Sequence, residues 1–408
     1  MFTIPYTFAN EDESYITLPA LKRFAKEKRN EELKTTVDRP QLITDIENYA
    51  DQSLENREVV LEWLDKVLVE GIKEVQIKKL EDSLTNEFLQ DDEYVSGILE
   101  PLLVNSDCRH LCNSYSEMIK LYKYEIVNES ENGRIIKLYF GKMLSTYDKR
   151  HEAALIPYPI FVEIYLDESI IVGRSKSKSG LYKYMENFVL EQATSTTAEK
   201  EINNAIKYAC EILALQTANG FGVGDYFRKK LYLMLENYTK TPKEITDLMD
   251  AKKVETEKIV TSVMGEICNL SGNYYSDVKS NVLNMIEKYF SISYVNKQIF
   301  IKDREAYPLR LNATDEEESR VEQAAAMEEP LQSKAIFFDN KKMLQKSKAC
   351  DAVVFAFNRI NTLYCPKRFK VKIFVNRDFC TLKFTEYTME EDIVHVLFSL
   401  IGATGITE

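Results

Sequence analysis

The sequence predicts a multi-domain α+β protein. Apolar residues recur at every third or fourth position through most of residues 16–124, which is the spacing of amphipathic helices. From about residue 122 apolar and polar residues alternate, which is typical of half-buried strands. Helical spacing then returns, and the last part of the chain carries strand-like runs followed by a helix. We therefore expect an acidic helical domain at 1–121, an antiparallel sheet with a helical layer at 122–305, and a C-terminal α+β domain at 331–408.

Composition restricts the class of protein. The chain has 408 residues, of which 45% are hydrophobic, and this is enough for packed cores. Its seven cysteines are an odd number spread through a large chain, which favours a reducing compartment, the cytoplasm, over a disulfide scaffold. No stretch approaches about eighteen consecutive apolar residues, so no membrane span and no membrane partner are expected.

The charge of the chain is acidic and uneven. The formal net charge is −12, and residues 1–100 hold 23 Asp and Glu against 12 Lys and Arg. This excess argues against unspecific coating of nucleic acid or anionic lipid, but it allows a local basic surface. It also makes the N-terminal helices a candidate surface for a basic protein partner.

Three helices are predicted in the N-terminal segment. Their sequences are ITLPALKRFAKEKR, RPQLITDIENYADQ and REVVLEWLDKVLVEG, each with apolar residues three and four apart. Gly71 is the predicted stop of the third helix, because glycine readily adopts the left-handed conformation that ends a helix.

Two hairpins are predicted in residues 122–180. In YKYEIVNESENGRIIKLYF the alternating residues flank Asn132-Gly133, a dipeptide that suits a type I′ turn. In the second hairpin PIFVEIYL and SIIVGRSKS flank Asp167 and Glu168. Together the two hairpins predict a small antiparallel sheet of about four strands.

The rest of the chain is predicted as helices, a further hairpin and a closing α+β segment. Helical spacing resumes in AEKEINNAIKYACEILALQ, in YFRKKLYLMLENY and in a run over 243–290. After this run YFSISYVNKQIFIK predicts a hairpin turning at Asn296-Lys297, and a helix followed by such a hairpin would suit a winged-helix unit. The acidic stretch DEEESRVEQAAAMEEP predicts a surface helix or a linker, where we place a domain boundary. The last segment predicts strands at DAVVFAFNRI, RFKVKIFVN and CTLKFTEY and a helix at EEDIVHVLFSLIG.

A candidate nucleic-acid module occupies residues 16–50. Its first helix contains LPALKRF and its second begins RPQLITDI, with an extended polar connection between them. This arrangement resembles the SAP-like helix-extended-loop-helix family. The resemblance implies a small DNA- or RNA-binding module whose second helix and preceding loop face the phosphates, here through Lys22, Lys34 and Arg39. The alternative is that the two helices only pack against each other.

A second candidate is the basic run GRSKSKSG. If a strand continues through it, alternation places Arg174, Lys176 and Lys178 on one face at intervals of about 7 Å. Such a row can follow a sugar-phosphate backbone, and Tyr182 and Tyr184 just beyond it offer rings for stacking on bases. The alternative is a solvated loop that its lysines keep soluble.

A third candidate is the strand-like run KRFKVKI. Alternation places Arg368, Lys370 and Lys372 on one face of this strand and three apolar residues on the other. The apolar side is expected in the core, and the basic side is a candidate binding face. The alternative is that these cations only prevent edge-to-edge aggregation.

Two other groups of residues resemble ligand sites less closely. The loop NGFGVGD precedes a helix, but no strand leads into it, so we interpret Gly220 as a helix stop and Asp225 as the N-cap of the next helix. Cys108, His110 and Cys112 are closely spaced, but a structural zinc site needs four ligands. No metal site is therefore predicted.

These candidates lead to one functional prediction and two alternatives. We predict a nucleic-acid-binding protein that contacts the phosphate backbone of DNA or RNA through basic strand faces, without a cofactor. One alternative is a protein-interaction subunit of a larger complex. The other is a metal-dependent nuclease, which needs converging carboxylates and a nearby lysine. Glu163 and Asp167 near a strand end, with Lys176 on the partner strand, are its best components.

Overall fold

The computed structural model describes residues 1–10, 15–29, 38–81, 85–104, 110–111, 116–128, 133–147, 153–185, 193–314, 320–324 and 329–403. Its helices are α1 (Tyr6–Ala9), α2 (Leu18–Arg29), α3 (Arg39–Gln52), α4 (Leu54–Val69), α5 (Thr85–Phe88), α6 (Asp92–Leu99), α7 (Ala198–Ile212), α8 (Phe221–Tyr238), α9 (Lys243–Ala251), α10 (Lys253–Ser262), α11 (Tyr275–Ser293), α12 (Ala335–Ser347) and α13 (Glu390–Ile401). Its strands are β1 (Lys73–Lys79), β2 (Lys120–Val127), β3 (Ile135–Tyr147), β4 (Ala153–Tyr165), β5 (Ile170–Lys176), β6 (Leu181–Lys183), β7 (Ser195–Thr196), β8 (Ala306–Thr314), β9 (Arg320–Ala324), β10 (Ala352–Asn358), β11 (Arg368–Val375) and β12 (Cys380–Phe384). The combination of helices and antiparallel strands confirms the predicted α+β class.

The chain forms two compact units, each assembled from separate stretches of sequence. The first unit contains Met1–Gly224, Arg359–Val371 and Asn376–His395. The second unit contains Asp225–Asn358, Lys372–Val375 and Val396–Glu408. The predicted domains follow the order of the chain, whereas the first unit joins strands that are distant in sequence, since β1 pairs with β12.

The first unit is built on an antiparallel sheet. Its strand order is β7-β6-β3-β4-β5-β1-β12, with β2 also on β3 and the beginning of β11 beside β12. The strand β1 lies in the segment that was predicted to be entirely helical, and that part of the prediction is wrong. Its sequence KEVQIKK alternates, with Val75 and Ile77 buried on one side, but the run is short and stands between helical segments.

The structure confirms both predicted hairpins of this sheet. In one, Tyr165 pairs with Ile170, which places the acidic pair of residues 167–168 in the turn. In the other, Val127 pairs with Ile135, so that residues 128–134 connect the two strands. The predicted type I′ turn begins at Asn132, which lies outside the described residues.

Helices cover both faces of the sheet in the first unit. On one face α2, α3 and α4 form a core with Tyr122, Tyr139 and Phe161 of the strands. On the other face α6 and α7 pack on the strands. The helix α7 crosses β5 so closely at Gly173 that a Cβ atom there would lie 2.5 Å from the side chain of Ile202. The side chains of β5 therefore meet a helix on either face.

The second unit combines α8 to α12 with an antiparallel sheet in the order β10-β8-β9. The predicted hairpin at YFSISYVNKQIFIK is wrong, because α11 continues to Ser293 and a 3₁₀ turn follows at Lys297–Phe300. The Nζ of Lys297 donates to the carbonyls of Ser291 and Ile292 at 2.9 and 2.8 Å, which stabilises the end of α11. The hairpin that would have formed the wing of a winged-helix unit is therefore absent at these residues.

Two further predictions for the second unit and its border are corrected. The acidic stretch contains β9, which pairs with β8 from Arg310↔Ala324 to Thr314↔Arg320, so this part is a strand where a helix or linker was predicted. Residues 315–319 and 325–328 of the stretch lie outside the described residues. The helix α8 already begins at Phe221, which places Asp225 inside the helix instead of at its N-cap.

The last predicted segment is confirmed: β10, β11, β12 and α13 all form where the sequence places them. Among the described residues, no helix is both long enough and apolar enough to cross a membrane.

Candidate nucleic-acid interface

The strand β11 presents a row of cations on one side. Its alternate apolar side chains are buried, namely Phe369, Val371 and Ile373. On the other side Arg368 and Lys372 are exposed and Lys370 is half-buried. Side chains two residues apart on a strand stand about 6.8 Å from each other, so the three cations form an evenly spaced line. The sidedness that the sequence predicted for this strand is confirmed.

Packing within the first unit fixes which side of β11 is buried. The ring of Phe369 lies 6.1 Å from the ring of Phe384 on β12. The guanidinium of Arg359 lies 5.0 Å from the centroid of the Phe369 ring. Arg359 also forms a buried ion pair with Asp392 of α13, at 3.2 Å. Rotating the strand to bury its cations would break both contacts of the Phe369 ring.

The turn after β11 carries another cation, whereas β12 is neutralised. The N–H of Asn376 donates to the carbonyl of Phe379 at 2.8 Å and closes the turn. Between them, the side chain of Arg377 is 66% exposed. On β12, Lys383 pairs with Glu74 at 3.0 Å. The exposed cations of this region therefore lie on the outward side of β11 and in its turn, where the Nε of Arg377 stands 3.9 Å from a carboxylate oxygen of Asp378.

The basic run on β5 does not form the predicted exposed row. Arg174 is only 2% exposed, and one of its terminal nitrogens lies 2.7 Å from a Glu163 oxygen and 3.2 Å from a Glu390 oxygen. Lys176 is also buried, with its Nζ 4.2 Å from the centroid of the Tyr15 ring. Lys178 lies beyond the end of β5 and is half-buried. Alternation placed Arg174 and Lys176 on one face, as expected, but the N-terminal helices cover that face.

The buried cations of this face form an electrostatic network. Burial alone would lower the pKa of Arg174, but Glu163 and Glu390 outweigh burial and hold this pKa above its ordinary value. On the neighbouring strand β1, Lys73 lies opposite Lys176 in the register with β5. Burial and the adjacent cations lower the pKa of Lys73 well below its ordinary value. The carboxylates thus hold Arg174 in its charged form, whereas the charged form of Lys73 is disfavoured, and burial leaves both side chains out of reach of a phosphate.

The SAP-like pair of helices is present as α2 and α3, but its predicted contacts are partly engaged. Lys22 is only 8% exposed. Arg39 donates from Nε and Nη2 to the Ala9 carbonyl at 2.9 and 2.6 Å. Lys34 lies outside the described residues. Two cations of α2 that the sequence analysis did not single out, Lys26 and Lys28, are exposed.

The tyrosines that were predicted to stack on bases are half-buried. The ring of Tyr182 on β6 packs edge-to-face against Tyr147, with centroids 6.0 Å apart. Tyr184 follows directly after β6. Since Arg174 and Lys176 are covered, neither ring stands beside an exposed cation row on β5.

The predicted nuclease components do not converge. Glu163 is 3% exposed and neutralised by Arg174, and its second oxygen accepts from the hydroxyl of Tyr165 at 3.0 Å. Asp167 lies in the exposed turn between β4 and β5. Among the described residues, no group of three or more His, Cys, Asp and Glu side chains is arranged to hold a metal ion.

An acid-lined cavity on α4 was not predicted. It has a volume of about 390 Å³ and is lined by Glu58, Glu62, Asp65, Leu103, His110, Tyr122, Lys123 and Tyr124. Its acids follow the i, i+4, i+7 spacing of one helix face, which the sequence shows. The Nδ1 of His110 lies 2.8 Å from Asp65, which also accepts from the Leu111 N–H at 3.1 Å, and the Nε2 lies 3.5 Å from Glu58. Cys108 and Cys112, on either side of His110, lie outside the described residues.

Comparison with protein-family models and with curated protein sequences found no match to this chain.

Proposed function

We propose that the protein binds nucleic acid through the phosphate backbone, using the cation row of β11. The observation that carries this proposal is the alternation along the strand, which buries Phe369 and Val371 and turns Arg368, Lys370 and Lys372 outward. Three cations at regular spacing match the repeated charges of a sugar-phosphate chain, and phosphate contacts supply most of the sequence-independent affinity of such proteins.

Because the net charge of the chain is acidic, the position of its exposed cations determines where a nucleic acid could bind. A chain of net charge −12 repels a polyanion at long range, so binding requires a surface where cations are concentrated. The row on β11 meets this requirement, and Arg377 in the following turn extends it. Lys26 and Lys28 are also exposed, on the helix α2 that resembles the SAP-like family, with the exposed Glu27 between them.

The test is charge reversal on the strand. The double variant Lys370→Glu, Lys372→Glu is expected to bind a labelled oligonucleotide at least about tenfold more weakly at low salt, which corresponds to about 1.4 kcal/mol. The control variant Lys183→Glu, Lys302→Glu changes the net charge equally at exposed positions elsewhere. Equal loss in both variants would mean that only net charge matters, and unchanged affinity in the strand variant would remove β11 from the proposal.

A second candidate function is the binding of a basic protein partner through the acidic N-terminal helices. The cavity on α4, lined by Glu58, Glu62 and Asp65, favours it. A lysine-rich probe peptide is expected to bind in a salt-sensitive manner and to lose affinity in Glu58→Gln, Glu62→Gln. The control Glu244→Gln, Asp247→Asn removes two exposed acids in the second unit. If the control variant loses as much affinity, the peptide senses total charge and the cavity is not its site.

A further inference from the structure

An aromatic ring continues the cation row of β11. Phe374 follows Lys372 at the next position on the same side of the strand, and it is half-buried. The Nζ of Lys372 lies 5.4 Å from the centroid of the Phe374 ring, which shows that the two side chains share this side. Reading along the strand, the outward positions are Arg368, Lys370, Lys372 and Phe374.

Cations followed by a ring on one surface suit an unpaired base. The flat faces of bases in a duplex are stacked on their neighbours, so a ring beside a duplex backbone gains nothing from stacking. In a single strand the bases can turn away from the backbone and stack on aromatic side chains, as in sheet surfaces that bind single-stranded RNA. Both phosphate and base are then contacted from one strand.

We propose that β11 selects single-stranded over double-stranded nucleic acid, with Phe374 stacking on an unpaired base while Arg368, Lys370 and Lys372 follow the phosphates. This inference rests on the proposed function. The base takes the place of the Lys372 ammonium over the ring, and the ammonium moves to the adjacent phosphate. The cation–π contact within the protein is thus exchanged for a stacking contact and an ion pair, at no cost in buried charge, because Lys372 is exposed.

The test compares two substitutions at one position on three probes. Phe374→Leu removes the ring but keeps an apolar side chain, and Phe374→Tyr keeps the ring. The probes are labelled single-stranded DNA, single-stranded RNA and a DNA duplex of equal length, at about 50 mM salt, where phosphate contacts are strong. Far-UV circular dichroism of both variants checks that they are folded.

The parent protein is expected to prefer both single strands over the duplex. Phe374→Leu is expected to weaken single-strand binding about tenfold and leave duplex binding unchanged, since one stacked base contributes on this scale. Phe374→Tyr is expected to retain the preference. Equal affinity of the parent for duplex and single strand, or unchanged single-strand binding by Phe374→Leu, overturns the inference while leaving backbone binding standing. No binding of any probe by the parent overturns the proposed function itself.

Discussion

Removing the charge of Glu163 is expected to destabilise the first unit by about 3 kcal/mol. Glu163 and Arg174 are almost fully buried, and their charged atoms lie 2.7 Å apart. Removing one partner of a buried ion pair costs about 3–5 kcal/mol, because the other charge is left buried without compensation. Glu390 remains 3.2 Å from Arg174 in the variant Glu163→Gln, so we expect the lower end of this range. The double variant Glu163→Gln, Arg174→Met removes both charges and is expected to lose less than the single variant.

The assay can be confined to the first unit. The chain has one tryptophan, Trp63, which packs in that unit with its ring centroid 4.5 Å from that of Phe24. Its fluorescence during urea denaturation therefore reports the unfolding of the unit that holds the ion pair. The control Lys370→Gln, on the outward side of β11, is expected to stay within about 0.5 kcal/mol of the parent. A Glu163→Gln variant as stable as this control would refute the buried pair and return Arg174 to the candidates for phosphate contact.

Three further outcomes are expected. Lys73→Met is expected to stabilise the first unit at neutral pH, because the pKa of Lys73 is lowered in the folded chain and folding with a charged Lys73 is therefore unfavourable. Between the lowered folded pKa and about 10.4 the unfolded chain binds this proton more readily than the folded chain, so the gain shrinks as the pH rises toward about 10.4. Urea titrations at several pH values measure the gain, and a pH-independent difference would contradict it. Lys297→Ala costs the second unit about 1 kcal/mol, since two hydrogen bonds to the end of α11 are lost, and an unchanged far-UV denaturation midpoint would count against this. Burial alone would raise the pKa of Glu390, but Arg174 and Lys137 outweigh it and leave this pKa lowered, so its contribution to stability is present above about pH 4.3 and lost as the pH falls through the lowered value. Glu390→Gln is expected to remove that part of the acid dependence, and an identical acid profile would contradict this.

Strand sidedness could be predicted from the sequence, but burial of a polar side could not. Alternation correctly grouped Arg174 with Lys176 on β5 and Lys370 with Lys372 on β11. The two rows differ because α2, α3 and α4 cover the side of the sheet that carries Arg174, whereas the cation side of β11 remains accessible. Which side a helix covers depends on contacts between distant parts of the chain, and a local period does not contain that information.

The other incorrect predictions, at β1 and at the end of α11, have similar physical causes. The strand β1 is a short alternating run whose partners, β5 and β12, lie about one hundred and three hundred residues further on, so its pairing leaves no local signal. At the end of α11 the β-branched and aromatic residues favoured a strand. The helix prevailed there, with Lys297 on its last carbonyls and Ile299 and Phe300 packed against Ile245. The resemblance to SAP-like helices remains a hypothesis about function, because helix packing alone does not establish it.

The salt dependence of binding tests phosphate contact by β11 most directly. Affinity for a labelled single-stranded oligonucleotide would be measured over a range of salt concentrations for the parent and for the triple variant Arg368→Gln, Lys370→Gln, Lys372→Gln. Each phosphate contact on a single strand contributes about −0.7 to the slope of log affinity against log salt, so loss of three contacts is expected to flatten the slope by about 2. Identical slopes and affinities in the two proteins would contradict binding through this strand.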